Sequence, residues 1–233
     1  MNPKLTASLM ITAAVLATVG FTALGSIFNY PAVLNEPAGA VLASFREHEG
    51  AVSTWFAALA LAAALMAPIA IGVGRLSAAR AMRIAVPVGI AAAVVQVVGL
   101  MRWPLLVPGY AADAASPSPG VAAAARDSFT TASDILGTAI GETLGYLLTA
   151  VWTALVIAAL SRRFAGTWFV AVGAVSAALV FVGVFSPLEL PAIDAANFFG
   201  YVLWSLWLIA FGVIVLVRSR RAEPATRRTA VTS

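Results

Sequence analysis

AVSTWFAALALAAALMAPIAIGVGR, Ala51 to Arg75, runs for 24 residues without a charged side chain before the arginine ends it. A bilayer's hydrocarbon core, ~30 Å thick, is crossed by ~20 helical residues rising ~1.5 Å each. The run has that length, and its apolar residues do not alternate as they do along a barrel strand, so it predicts a transmembrane helix. Pro68 has no N–H to donate and predicts a kink toward the Arg75 end.

The rest of the chain repeats the pattern. Of the 233 residues, 61% are hydrophobic and only 10% charged, with a mean hydropathy of +0.96. Soluble domains carry about a quarter charged residues, so most of this surface must face lipid. Six apolar runs are predicted as spans, near residues 8–28, 51–74, 84–107, 135–160, 164–185 and 195–217. The fold class is therefore an all-α polytopic bundle forming a single domain over residues 1–217, with a basic tail over 218–233. Expected stops are Pro108-Gly109 for the third run, Ser161-Arg162-Arg163 for the fourth and Ser186-Pro187 for the fifth. Pro87 is expected in the first turn of the third helix, where proline is tolerated. Lys4 and Ala23-Leu24-Gly25 imitate a signal peptide, but the first apolar run exceeds the ~7–15 residues of a signal core and is read as an uncleaved span.

Charge sets the orientation. Alternating six spans puts Lys4, Arg75, Arg80, Arg83, Arg162, Arg163, Arg218, Arg220, Arg221, Arg227 and Arg228 on one side, 11 of the 14 bases. Only Glu223 of the ten acidic residues joins them. The positive-inside rule then makes both termini cytoplasmic and the expected location a plasma (inner) membrane, with membrane lipid as the surrounding partner. A nucleic-acid role is not expected, because the tail is short and lacks interleaved aromatics. The other face carries two long connections. Residues 29–50 hold a short interfacial helix at Ala40–Phe45, and residues 108–134 hold "VAAAARDSFTTASD", read as a surface helix.

Two charges fall inside apolar runs. Arg102 stands about 27 Å up the third helix, and Glu142 about 12 Å below the outer boundary on the fourth, level with Gln96. A carboxylate at that depth costs about 2–3 kcal/mol on insertion scales and normally faces protein or water. Arg102 either snorkels to the headgroups beside an interfacial Trp103 or turns inward to a function. Glu142, Gly145, Tyr146, Thr149 and Thr153 follow helical spacing as one polar stripe, read as interhelical glue or as a site wall. Gly137, Gly141 and Gly145 form a small-residue ladder that predicts close backbone approach and a central, lipid-poor fourth helix. Asn29 and Tyr30 close the first helix near this level, Asn197 opens the sixth, and Trp152, Trp204 and Trp207 are read as cavity walls or packing aromatics.

With no cysteine and one histidine, thiolate sites, bis-histidine haem and paired-histidine zinc sites are excluded. His48, between Glu47 and Glu49, makes no chelate by itself, since adjacent helical residues point ~100° apart. Neither metal nor cofactor is expected, and no catalytic residues are assigned.

The segments "FNYPAVLNEPAGAVLASF", "MRWPLLVP" and "GETLGYLLTAVWTAL" resemble, in that order, a bacterial family of multi-pass membrane proteins of unknown function. The resemblance implies a six-helix fold and draws attention to Arg102, Trp103, Glu142 and Tyr146, and it brings no activity or cofactor. Three functions stay open. One is a protein whose outward-facing polar pocket, lined by Arg102, Trp103, Glu142, Tyr146, Gln96, Asn29 and Tyr30, binds or transports a small amphiphile or lipid. Another is a structural or regulatory subunit that packs through the glycine ladder against a membrane protein or a second copy. The third is a membrane enzyme with Glu142 as acid/base, disfavoured because no nucleophile or metal ligand stands near it in the sequence.

Overall fold

A computed structural model describes residues 2–188 and 190–229, with side chains through Arg221. The chain is helical, with no strand among the described residues. The order is α1 (Pro3–Phe28), α2 (Ala38–Glu47), α3 (Glu49–Ala64), α4 (Met66–Val73), α5 (Arg80–Leu105), α6 (Val107–Ala114), α7 (Pro119–Ala132), a π-helical segment (Ser133–Leu144), α8 (Gly145–Ala165), α9 (Thr167–Val182) and α10 (Pro191–Thr229). Six helical stretches among the described residues are long and apolar enough to cross a membrane: Pro3–Phe28, Glu49–Leu76, Arg80–Ala114, Pro119–Ala165, Thr167–Leu188 and Pro191–Arg221. The tail expected from residue 218 continues α10 helically to Thr229, and residues 230–233, like the side chains of Glu223, Arg227 and Arg228, lie outside what is described.

The ends are where local chemistry puts them. Asn2 caps α1 by accepting from the Lys4 N–H at 2.9 Å, with Pro3 at the first helical position. Asn29 ends α1 in the left-handed region (φ 52) and returns its N–H to Leu24 O. The second span breaks at Leu65, between α3 and α4. Pro68 cannot bond the carbonyl four residues back, at Ala64, so the predicted kink falls where the ladder loses that bond. Ser161 takes φ 54 and ψ −171 and ends the regular part of α8 at the expected turn.

Several boundaries move outward. α5 begins at Arg80, so Pro87 lies inside it rather than in its first turn. Pro108-Gly109 does not stop the third helix. The chain kinks at Leu106 and continues as α6, with Pro108 in that helix's first turn. The expected surface helix "VAAAARDSFTTASD" is α7, and it runs unbroken into the fourth span, giving a helix of 47 residues. Its distal part extends past the ~20 residues a bilayer needs.

The spans form a ring in chain order. α1 packs on α3 and α4, these on α5, α5 on the π segment and α8, α8 on α9, α9 on α10, and α10 back on α1. The short connections between α4 and α5, α8 and α9, and α9 and α10 make those neighbours antiparallel hairpins, and the last helix closes on the first. The fourth span is therefore one stave of the ring and not its centre, with Leu144 and Val151 exposed on its outside. α2, α6 and α7 pack on one another as a cap at the end opposite the termini, here the distal end. Two cores fill the ring. The proximal one gathers Met10, Ile69, Trp152, Phe169, Trp207 and Phe211. The distal one gathers Leu24, Phe28, Phe45, Phe56, Trp103 and Phe129 under the cap.

Candidate functional site

Between these cores lies a polar layer, and its position follows from how α5 meets the fourth span. A Cβ placed on Gly99 would stand 2.6 Å from the Gly141 Cα and 3.0 Å from Leu136 O, so the two backbones touch. The rest of the glycine ladder lies along the same seam. Gly137 packs on the Arg102 guanidinium, where a Cβ would sit 2.6 Å from Nη2, and Gly145 packs on the Gln96 side chain. Arg102, Gly99 and Gln96, three residues apart, thus meet Gly137, Gly141 and Gly145, four apart, in antiparallel register. The ladder's partner is the third span of the same chain. Gln96 is level with Gly145, one turn deeper than the expected match with Glu142.

This seam includes the π-helical segment, twelve residues long. Such winding is ordinarily confined to single-turn bulges and recurs at functional sites. It places Arg102 and Glu142 on segments that reach the ring's interior from its third and fourth staves.

Arg102 is 7% exposed and does not snorkel to the surface. Its Nη1 donates to Gly99 O at 2.6 Å. Its Nε is sealed without an acceptor, and among the described residues no carboxylate oxygen lies within 4.0 Å of the group. Trp103 is fully buried rather than interfacial. Its ring stacks on Phe56 at 4.6 Å and meets Phe28 edge-on at 5.3 Å, because the cap of α2, α6 and α7 closes over it. The guanidinium carbon stands 5.3 Å from that ring.

Electrostatic interactions join Arg102 to Tyr30, Glu142 and Tyr146, and join Glu142 in turn to Asp194. These residues come from the end of α1, α5, the π segment, α8 and α10; Arg102 is buried, Tyr30, Glu142 and Tyr146 are half-buried, and Asp194 is exposed. Glu142 accepts no hydrogen bond among the described residues, and it forms no direct ion pair with Arg102. Tyr30 lies beyond the first span, edge-on to Phe56 at 5.2 Å. Burial and the Glu142 carboxylate hold its phenol above the ordinary range, with Arg102 opposing, so it keeps its proton and can donate.

Deeper in the ring the stripe is satisfied. Gln96 Nε2 donates to Thr149 Oγ1 at 3.0 Å, Thr153 Oγ1 to Thr149 O at 2.9 Å, and Trp204 Nε1 to Thr153 Oγ1 at 2.8 Å. Asn197 Nδ2 donates to Val180 O at 3.0 Å, pinning α10 to α9. Trp152 and Trp207 belong to the proximal core, with Trp207 Nε1 on Phe169 O at 3.0 Å, so they floor the layer as packing aromatics. Asn29 is exposed and serves as the α1 cap, apart from the cluster. One member of the layer that the sequence does not single out is Tyr201, whose ring lies 5.6 Å from that of Tyr146 and which interacts with Thr149. A signal for it is present: Asp194, Asn197, Tyr201 and Trp204 recur at helical spacing along α10. Two surface clefts lie outside the ring. One of about 490 Å3 is lined by Leu106, Tyr110, Asp127 and Thr131 among others, and one of about 330 Å3 runs between α8 and α9. Neither is lined by Arg102 or Glu142.

Residues 5–212 match the model of a family described as a domain of unknown function, DUF4386. No curated protein and no solved structure matches the chain.

Proposed function

This chain belongs to the DUF4386 family, and we propose that it is a membrane protein that binds a small amphiphile or lipid through the polar layer at the distal end of its ring. The observation that carries the reading is Arg102, a guanidinium buried within a spanning helix, whose Nε has no acceptor and which no carboxylate meets among the described residues. A buried charge left unpaired costs several kcal/mol, and intramembrane ionisable groups are retained where they serve a ligand or ion. Glu142, Tyr30 and Tyr146 supply further polar groups beside it. Below them the stripe ends on Trp152 and Trp207 in the proximal apolar core, which holds no ionisable side chain among the described residues. That arrangement favours binding over conduction.

With 11 of 14 bases on the side of the termini, the proximal end faces the cytoplasm of a plasma membrane, and the layer lies toward the outside. The glycine ladder is consumed by contact with α5, so it offers no surface to another subunit, and the subunit reading loses its main support. The test is small-molecule mass spectrometry on protein extracted in mild detergent. Wild type retains an amphiphile that Arg102→Gln and Glu142→Gln lose. Equal retention by all three proteins defeats the reading.

A further inference from the structure

The larger surface cleft, about 490 Å3, lies at the distal end and is separate from the polar layer. One wall is Leu106, at the kink below α6, and Tyr110, one turn further out. The other wall is α7 and the start of the π segment, where Asp127, Thr131 and Ile135 recur every four residues, with Ser128 and Leu136 beside them. Both walls grade from apolar to polar in the distal direction. Counting ~1.5 Å per residue from Ile84 puts Leu106 about 33 Å up the third span, at the edge of the ~30 Å hydrocarbon core. Asp127 and Ser128 stand about two turns further out than Ile135 and Leu136, in the headgroup layer. Leu106 and Ile135 are exposed, as is Leu105 beside them, so the lower rim faces lipid and the upper rim faces headgroups and water.

The charge in the cleft has one sign. Asp127 is the charged group among its lining residues, and it forms no ion pair among the described residues. The two arginines of the cap are committed elsewhere. Arg46 Nη1 donates to Ala111 O at 3.4 Å, and the Arg126 Cδ lies 3.4 Å from where a Gly39 Cβ would stand, which turns that side chain onto α2. Glu36, Glu47, Glu49 and Asp113 are exposed on or beside the same cap and add to a negative field that draws cations. An anionic headgroup in the cleft would meet Asp127 with no base to offset it. We propose that the cleft binds a cationic amphiphile, its ammonium group at Asp127 beside the Ser128 and Thr131 hydroxyls, its alkyl chain over Leu106 and Ile135 into the distal leaflet. Each half of the ligand then sits at the level where the wall matches it, and the bilayer itself delivers the chain.

The experiment uses the full chain in a neutral maltoside detergent and native mass spectrometry with three probes of one chain length: dodecylammonium, dodecanol and dodecanoate. Wild type is expected to take up one equivalent of dodecylammonium saturably and to bind it about fivefold more tightly than dodecanol, the order of one partly exposed charge contact. Dodecanoate should bind more weakly than dodecanol. Asp127→Asn should bring the ammonium down to the level of the alcohol, and Ile135→Trp, which fills the lower cleft, should weaken both. These two positions are exposed, so the variants are expected to melt with wild type. Arg102→Gln should leave the preference for ammonium intact, which separates this cleft from the polar layer. Equal affinity for the three probes, tighter binding of dodecanoate, or absence of saturable binding each overturns the proposal. Loss of ammonium binding in Arg102→Gln but not in Asp127→Asn also overturns it, and leaves the polar layer as the site.

Discussion

Replacing Gly99 by alanine is the sharpest perturbation of the seam that builds the site. The new Cβ would meet the Gly141 Cα at 2.6 Å, Leu136 O at 3.0 Å and the Gly141 N at 3.3 Å, all backbone atoms that no rotamer change can move. Relief requires α5 and the π segment to separate by about 1 Å to restore ordinary carbon contact near 3.5–4.0 Å. Overpacking against backbone that cannot yield costs about 2–3 kcal/mol, the upper part of the usual range, against a gain of about 1 kcal/mol for alanine over glycine in a helix. The net expectation is a loss of about 1–2 kcal/mol, or roughly 2–8 °C in melting temperature for a chain of this size. Gly109→Ala in α6 is the control, since a Cβ there meets nothing within 4 Å, and it should melt at or above wild type. Fluorescence-detected melting in one detergent compares the three proteins. If Gly99→Ala melts with wild type or with the control, the two backbones do not touch and the register through Arg102 and Gly137 is wrong.

Arg102→Gln and Glu142→Gln should each lower stability, and the double variant should lose about 1 kcal/mol less than their sum, because each single change strands the other charge. Strict additivity would mean that the two charges do not share an environment. Trp103→Ala removes the centre of the distal aromatic core and should cost about 3–5 kcal/mol, read as loss of monodisperse protein; a mild effect would return Trp103 to the interface. The chain has no cysteine, so cysteines introduced at Ser118 and Ser219 report cleanly on sidedness. Impermeant thiol reagents should label them from opposite sides of the membrane, and labelling from one side would refute six crossings.

Much of the fold is legible in the sequence because lipid makes length and apolarity decisive: the six spans, the Pro68 break and the Ser161 turn all follow from local chemistry. The ring is not legible. Small residues tell that helices approach and not which ones, so the ladder suggests a central fourth helix where it marks one seam. Gly89 shows the same limit, since nothing in its sequence setting signals that a Cβ there would meet Ala70 and Trp152 at under 3 Å. Trp103 reads as interfacial because its burial depends on α2, α6 and α7 folding over it, a tertiary event that the span itself does not encode. The π winding from Ser133 to Leu144 leaves no pattern distinguishable from an α-helix, so the sequence singles out Glu142 but misjudges its level relative to Gln96.

Whether a group other than the chain's own side chains meets Arg102 decides whether the polar layer is a ligand site. A cryo-EM structure of the protein in discs of its native membrane lipid reads this directly, whatever the identity of the ligand. The expected result is density beyond the side chains within hydrogen-bonding reach of the Arg102 guanidinium. A direct Arg102–Glu142 ion pair with no density between the two side chains would contradict it.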